Sequence, residues 1–425
     1  MFAKSVFGAR QRLGFAAAGA AAAVGTALVH QAHAAEPATP FTQMGVYLWG
    51  DNTKQLIAKP AGGKPAGANV RVPTPVDLFS NQKLRDLALC PTFGLAALAN
   101  GDVVQFDSDT ASLREGAVLK GKNVTKVLVA PRSETALALA KNGAVFGWSA
   151  GAKPTKYQVA GGLGWFEKID DIACGVDHIV AKTNKGRVFS GQLLAADGHE
   201  LEHHGQFGIA SFSHFESPPP PFELHEIKLL PGKVGEISCG NYHTLFLNEN
   251  REFWGCGSNS YGQLMLPFTF KNMKNSVPVK LGTDAVRIAA GSNVSLFQQR
   301  GALSWHVAGD GEFGQFGTGS FAQCQVDPLT MKPLSNMREY DEVLNRVVPT
   351  VVRNWQIGAT HIYAQMDNAA GDWLMWGSNE RGQLGNSKLS KIVKPIPVKS
   401  SENFALSDGY QFVAGDKISG CFVRA

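Results

Sequence analysis

One phrase recurs along this 425-residue chain. "WGSNERGQLGN" at 376–386 and "WGCGSNSYGQLML" at 254–266 share a small or aromatic residue before glycine, then an asparagine and a Gln-Leu pair. "GDGEFGQFGTG" at 309–319 and "HHGQFGI" at 203–209 are copies of its tail. A second phrase alternates with it: a small-residue turn, then a histidine or aromatic, then an apolar run. It reads "IACGVDHIVAKT" at 172–183, "ISCGNYHTLFLN" at 237–248, "IAAGSNVSLFQQ" at 288–299 and "QIGATHIYAQM" at 356–366. Weaker copies stand at "LALCPTFGLAAL" (87–98), "VLVAPRSETALAL" (127–139) and "FALSDGYQFVAG" (404–415). Aligned on the residue before its glycine, the first phrase has anchors at Trp49, Phe106, Trp148, Gly191, Cys256, Ala308 and Trp376. Their spacings of 57, 42, 43, 65, 52 and 68 describe a unit of 42 to about 50 residues, repeated seven times with insertions.

The unit reads as β-structure. "HTLFL" and "REFW" alternate apolar and polar residues, and short polar turns such as "NENR" (248–251) and "NKGR" (184–187) divide them into hairpins. Turn Asn and Gly supply the positive φ that other residues resist. A small sheet cannot bury both faces alone, so seven copies are expected to stack radially as a propeller, with the glycine before the histidine letting the strand enter a crowded centre. Composition agrees: hydrophobic residues make up 44% and charged residues 18%, enough for a large core, and 47 glycines fit many tight turns. Ring closure needs terminal strands to share a blade. "GVYLWG" (45–50) is expected to pair with "QFVAG" (411–415), while "GCFVRA" (420–425) competes for the same place.

The pattern G-x-x-H, apolar strand, W-G-x-N-x-x-G-Q-L-G resembles the repeat of the regulator of chromosome condensation family. The resemblance covers 41–425 and is best in copies three, four, five and seven. It implies an all-β, seven-bladed β-propeller of the chromosome-condensation-regulator type, with an N-terminal targeting segment. The reading divides the chain into a mitochondrial presequence with an Ala-rich sorting or anchor segment (1–35) and a propeller (41–425) with surface insertions at 194–226 and 321–350.

The leader carries Lys4, Arg10 and Arg12 and no acid before Glu36, and residues 13–29 are uncharged and alanine-rich. That resembles a mitochondrial presequence, with possible inner-membrane association through 13–29. "AHAAE" at 32–36 also offers an A-x-A site, which leaves a secretory or periplasmic route as the alternative; only on that route would the sequons at Asn123 and Asn293 matter. Without the three leader cations, 40 basic residues become 37 against 35 acidic, an excess of +2 that does not call for DNA.

Residues that look chemical have structural readings beside them. His178, His243 and His361 recur at one repeat position, where a ring is expected to bond to a neighbouring blade's backbone. Cys174 and Cys239 precede the repeat glycine and read as small core residues. The six cysteines include no C-x-x-C pair. Insertion 194–226 holds His199, His203, His204, His214 and His225 and the four prolines Pro218–Pro221; it reads as a stiffened docking loop, with a metal site the lesser reading. In 321–350, Met337, Tyr340, Leu344 and Val347 or Val348 fall at helical spacing and suggest a short amphipathic helix. "GSNSYG" and "GDGEFG" follow strands and open no helix, so neither is a phosphate loop.

No catalytic, cofactor-binding or metal residue is assigned, no cofactor is expected, and the chain is expected not to be an enzyme. The resemblance, together with the leader, implies a mitochondrial interaction protein: a scaffold for respiratory-chain complex subunits and assembly factors, or for the mitochondrial ribosome. The alternative it implies is guanine-nucleotide exchange on a small GTPase, the activity of the family's founding member.

Overall fold

The computed structural model describes residues 41, 44–57, 67–107, 118–131, 134–149, 151–193, 201–212, 219–300, 305–322, 325–331, 338–341, 346–349, 352–368, 371–405 and 407–425. The leader 1–35, the apolar run 13–29 and the side chains of His199, His214 and Cys324 lie outside them.

Seven antiparallel sheets form seven blades around an axis. In chain order the innermost strands are Leu84–Leu89, Val124–Val129, Ile169–Cys174, Val234–Cys239, Ala285–Gly291, Val352–Ile357 and Tyr410–Ala414. Each touches the next, and the last touches the first, so the ring is closed. Closure is two strands with two. The sheet of blade 7 runs Tyr410–Ala414, Ile418–Val423, Val46–Asp51, Asn69–Pro75 from centre to rim. "GVYLWG" therefore pairs with "SGCF" and not with the strand at 411–415: Tyr47 faces Cys421 and Leu48 faces Gly420. The seventh copy of the turn phrase is accordingly 412–423, "FVAGDKISGCFV", one strand later than the match at 404–415.

The repeated phrase is the joint between blades. All seven anchors lie on third strands. The glycine after the anchor sits at φ +113 (Gly50), +103 (Gly257), +111 (Gly309) and +104 (Gly377). A Cβ there would lie 2.0–2.5 Å from a carbonyl oxygen of the adjoining turn, so only glycine fits. The asparagine folds the tail: Asn379 Oδ1 accepts from Leu384 N at 2.9 Å, and Asn259 Oδ1 from Leu264 N at 2.9 Å. The glutamine side chain accepts from the backbone two residues earlier, as Gln383 does from Arg381 N at 2.9 Å and Gln315 from Phe313 N at 2.8 Å. Its carbonyl then serves the next blade. Trp376 Nε1 donates to the Gln315 carbonyl at 2.8 Å, and Trp49 Nε1 to that of Gln383 at 3.0 Å. The leucine or phenylalanine that follows is buried in all four tails, as Phe207, Leu264, Phe316 and Leu384. In the eroded first blades Trp148 Nε1 uses the Gln105 side chain instead, at 3.0 Å.

Apolar clusters lie between blades. Ala138 and Trp148 of blade 2 pack with Phe93 and Leu95 of blade 1, and Phe316 and Val307 of blade 5 with Ile362 and Trp376 of blade 6. Stability is thus a closed circuit of nearest-neighbour contacts.

Within the two long insertions the structure describes 201–212, 219–226, 321–322, 325–331, 338–341 and 346–349. Glu223–Glu226 and Gln325–Met331 are outer strands of blades 3 and 5. Arg338–Asp341 and Arg346–Pro349 pair as an antiparallel hairpin, Tyr340 opposite Val347. Helical spacing misled here, because Tyr340, Val347 and Val348 are also strong strand formers and a short apolar run fits either period.

Candidate interaction surface

Antiparallel blades give the ring two faces. The turns from first to second strand and the tails from third to fourth strand share the upper face; the hairpins from second to third strand and the crossings between blades share the lower. The innermost strands line a central channel of about 320 Å³.

In blades 1 to 6 each innermost strand bulges before its third residue, at Asp86, Lys126, Asp171, Glu236, Arg287 and Asn354. A bulge re-aims the side chain that follows it. Here it swings sideways to the next blade. Asp86 Oδ2 accepts from Val127 N at 2.9 Å, Glu236 Oε2 from Ile288 N at 3.2 Å, and Lys126 Nζ meets Asp171 Oδ1 at 2.8 Å. Burial pushes Asp86 up to about 6 against the pull of Lys126 and its backbone donors, and it raises Glu236 as well. These carboxylates lace the blades together.

Cys90, Cys174 and Cys239 also line the channel. Cys239 is buried as expected, but Cys174 is half-buried against the channel and is not a closed core residue. Burial pushes Cys174 up to about 12 and raises Cys90 and Cys239, so all three are neutral thiols.

The three repeat histidines are fully buried. Each crosses to the next blade, but to a hydroxyl, not to the backbone. His178 Nε2 meets Thr244 Oγ1 at 2.9 Å, His243 Nε2 meets Ser295 Oγ at 2.8 Å, and His361 Nε2 meets Ser419 Oγ at 2.7 Å. Ser419 Oγ in turn donates to the Gln383 carbonyl at 2.8 Å, so the His361 ring carries its proton on Nε2. Burial drives all three rings down to about 3, which keeps them neutral. The hydroxyls went unread in the sequence, although a signal was there. They stand one position after the histidine site of the following repeat, and where a blade lacks the histidine the next blade has Gly94, Leu137, Ile179 or Ile362 instead.

The glycine before each turn is explained by space. A Cβ on Gly240 would meet Ser292 O at 2.5 Å, and one on Gly175 would meet Gly240 O at 2.4 Å. Lower-face turns need positive φ, at Gly101, Gly143 and Gly186; in "NENR" the strained residue is Arg251, at +61.

An upper-face cleft of about 460 Å³ opens at the channel mouth. Asn241, Ser292 and Thr360 present polar turns, and Glu312, Arg381 and Lys417 add charge of both signs. Exposed aromatics stand on the same face: Tyr261 at its edge, with Phe268, Phe270 and Phe321 on the tails of blades 4 and 5. Of the five insertion histidines, His204 pairs with Glu202 at 2.8 Å and His225 with Glu223 at 3.2 Å. Among the described residues no cluster of three or more His, Cys, Asp or Glu could hold a metal ion. The channel thiols are neutral, and Asp86, Asp171 and Glu236 are bound across blades, while the cleft carries charges of both signs on a polar rim.

The family description "Regulator of chromosome condensation (RCC1) repeat" matches residues 236–263, which run from the laced carboxylate of blade 4 to the glutamine of its tail. "Protein FMP25, mitochondrial" of Saccharomyces cerevisiae is 24% identical over 413 residues, covering 83% of this chain; the chain spans 65% of the yeast protein. The crystal structure of human WBSCR16 superposes with a TM-score of 0.68 at 19% identity, over 90% of this chain and 99% of that one. Prp20p of Saccharomyces cerevisiae superposes with a TM-score of 0.65 at 16% identity, over 90% and 92% of the two chains. The chain is thus a seven-bladed β-propeller that resembles the regulator of chromosome condensation repeat proteins, with a mitochondrial yeast protein among its relatives.

Proposed function

We propose that this protein is a non-enzymatic mitochondrial scaffold that holds subunits or assembly factors of a respiratory-chain complex, or of the mitochondrial ribosome, on its upper face. The observation that carries the reading is the likeness to a mitochondrial yeast protein across 83% of this chain. The fate of the chemical-looking residues supports it, since histidines, thiols and carboxylates hold blade to blade. Exposed Phe268, Phe270 and Phe321 on the face that carries the polar cleft, with Tyr261 lining it, supply aromatic anchors of the kind that protein-docking surfaces use.

A second reading has one observation behind it: the fold matches Prp20p, a propeller described by its binding to Gsp1p and histones. On that reading the same face would engage a small GTPase and release its nucleotide. A tagged protein isolated from gently solubilised mitochondria and run on a native gel separates the two. Co-migration with a respiratory complex, its intermediates or the ribosome, lost in a Phe268→Ser/Phe270→Ser variant, is the expected result. Absence from mitochondria, or a GTPase as main partner together with accelerated release of a labelled guanine nucleotide, overturns it.

A further inference from the structure

The crossing from blade 2 to blade 3 displays two aromatic side chains on the lower face with no cover. Trp165 is 89% exposed and Phe166 88% exposed. They touch each other edge to face, rings 6.2 Å apart and tilted by 65°. The other tryptophans of the chain are buried or half-buried.

The tip is built, not frayed. Phe166 holds φ +56, a conformation bulky residues resist. Four contacts fix it there. Gly164 N donates to Glu167 Oε2 at 2.9 Å, and Glu167 N to the Gly164 carbonyl at 3.1 Å. Asn184 Nδ2 donates to the Phe166 carbonyl at 3.1 Å, and Thr183 Oγ1 to Glu167 Oε1 at 2.7 Å. Arg187 closes the latch on Glu167, whose side chain is only 4% exposed. Beneath the turn the chain has thus placed a buried carboxylate and its arginine, while the two aromatics above it contact only each other and solvent.

Lysines surround the tip. Lys168 Nζ lies on the Lys141 carbonyl at 3.0 Å, and Lys185 follows Asn184 in the adjoining hairpin. Lys120, Lys122 and Lys233 extend the arc along neighbouring crossings, and all six are exposed. Of the acids beside them, Glu167 is held by Arg187 and Asp170 by Lys182, while Glu249 stands exposed next to Lys233 at the end of the arc. Across the ring, blades 6 and 7 present Asp367 and Glu402 on the same face, while Asp372 and Asp408 there are held by Lys399. Cationic charge on the lower face is therefore densest around the aromatic tip.

We propose that Trp165 and Phe166 insert into the interfacial layer of an anionic lipid bilayer, with the lysine arc on the headgroups, so that the propeller docks tilted on the edge formed by blades 2 and 3. Indole and phenyl rings partition to the headgroup boundary, and clustered lysines are drawn to anionic leaflets. A convex tip fits a fluid surface. The edge-to-face rings leave no parallel slot for a nucleobase, which argues against RNA. Among the described residues no helix is long and apolar enough to cross a membrane.

The test uses the full chain and needs no protein partner, which keeps it independent of the scaffold reading. Co-sedimentation is measured with vesicles of phosphatidylcholine alone and of phosphatidylcholine with phosphatidylglycerol. We expect binding to the anionic vesicles. It should weaken on the order of tenfold in Trp165→Ser/Phe166→Ser, and similarly in Lys141→Glu/Lys168→Glu/Lys185→Glu, with melting temperatures unchanged because these side chains are exposed. Brominated lipids should quench wild-type tryptophan emission, while Trp165→Phe keeps binding and loses the quenching. Vesicle binding by Trp165→Ser/Phe166→Ser equal to wild type, or quenching that persists in Trp165→Phe, overturns the proposal. So does a photocrosslinker at position 165 that captures RNA or a protein from mitochondrial extract while vesicles fail to bind.

Discussion

Mild acid should dismantle this propeller through three histidines. His178, His243 and His361 are fully buried and titrate near 3 in the folded chain, against 6.5 when unfolded. The folded value is depressed, so the stability these rings contribute is fully present above pH 6.5 and is lost as pH falls from there toward 3. One pH unit of unequal protonation is worth about 1.4 kcal/mol. At pH 5 the unfolded chain has taken up protons that the native rings refuse, at about 2 kcal/mol each and about 6 kcal/mol for the three. Asp86 acts in the opposite sense. Its folded value is raised to about 6 from 3.8, so its contribution is present below 3.8 and fades as pH rises through 6; at pH 5 it offsets roughly 1 kcal/mol. A net loss of about 5 kcal/mol compares with total domain stabilities of about 5–15 kcal/mol. The assay is urea denaturation at pH 7, 6 and 5, followed by tryptophan emission. His243→Gln keeps a donor for Ser295 and removes one titrating ring. It should be less stable at pH 7 but lose about a third less stability between pH 7 and 5. If its pH dependence matches that of wild type, the histidine argument fails.

Three further outcomes follow from the joints. Trp49→Ala removes an aromatic wedged between the N-terminal strands and blade 6 and leaves Tyr363 short of a partner, and should cost roughly 3–5 kcal/mol by urea denaturation. Gly377→Ala forces a Cβ to within 2.5 Å of the Thr360 carbonyl at φ +104; we expect a loss above about 2 kcal/mol or no soluble protein on expression. Ser419→Ala strands the buried Nε2–H of His361 and should cost about 1–3 kcal/mol, with Ser419→Thr recovering most of it.

The blade grammar was open to reading because its constraints are local. A glycine at φ above +100, an asparagine closing a five-residue tail and a glutamine bonding two residues back each leave a fixed spacing, and "WGSNERGQLGN" carries all three. The errors came where local pattern is degenerate. Residues 337–348 fit helical spacing as well as they fit a hairpin, and "FALSDGYQFVAG" imitated a turn phrase one strand early. The candidate surfaces were nearly silent. Trp165 and Phe166, or Phe268 and Phe270, read as ordinary apolar residues in a chain that is 44% hydrophobic, because exposure is not a property of sequence neighbours.

Sequence by itself determined the seven-fold repeat, the strand-turn chemistry and hence the propeller, because each blade is encoded within some 42 to 68 residues. Tertiary structure decided what spans blades. It fixed the two-plus-two closure, where 46–51 meets 418–423 across nearly the whole chain, and it chose hydroxyls as the partners of the histidines 52 to 66 residues away. It also used carboxylates that carry no sequence motif as lacing between blades and left two aromatic pairs bare. The physical reason is distance along the chain. Bond angles and turns act over a few residues and leave a mark in every copy, whereas contacts between blades depend on which copies the closed ring sets side by side.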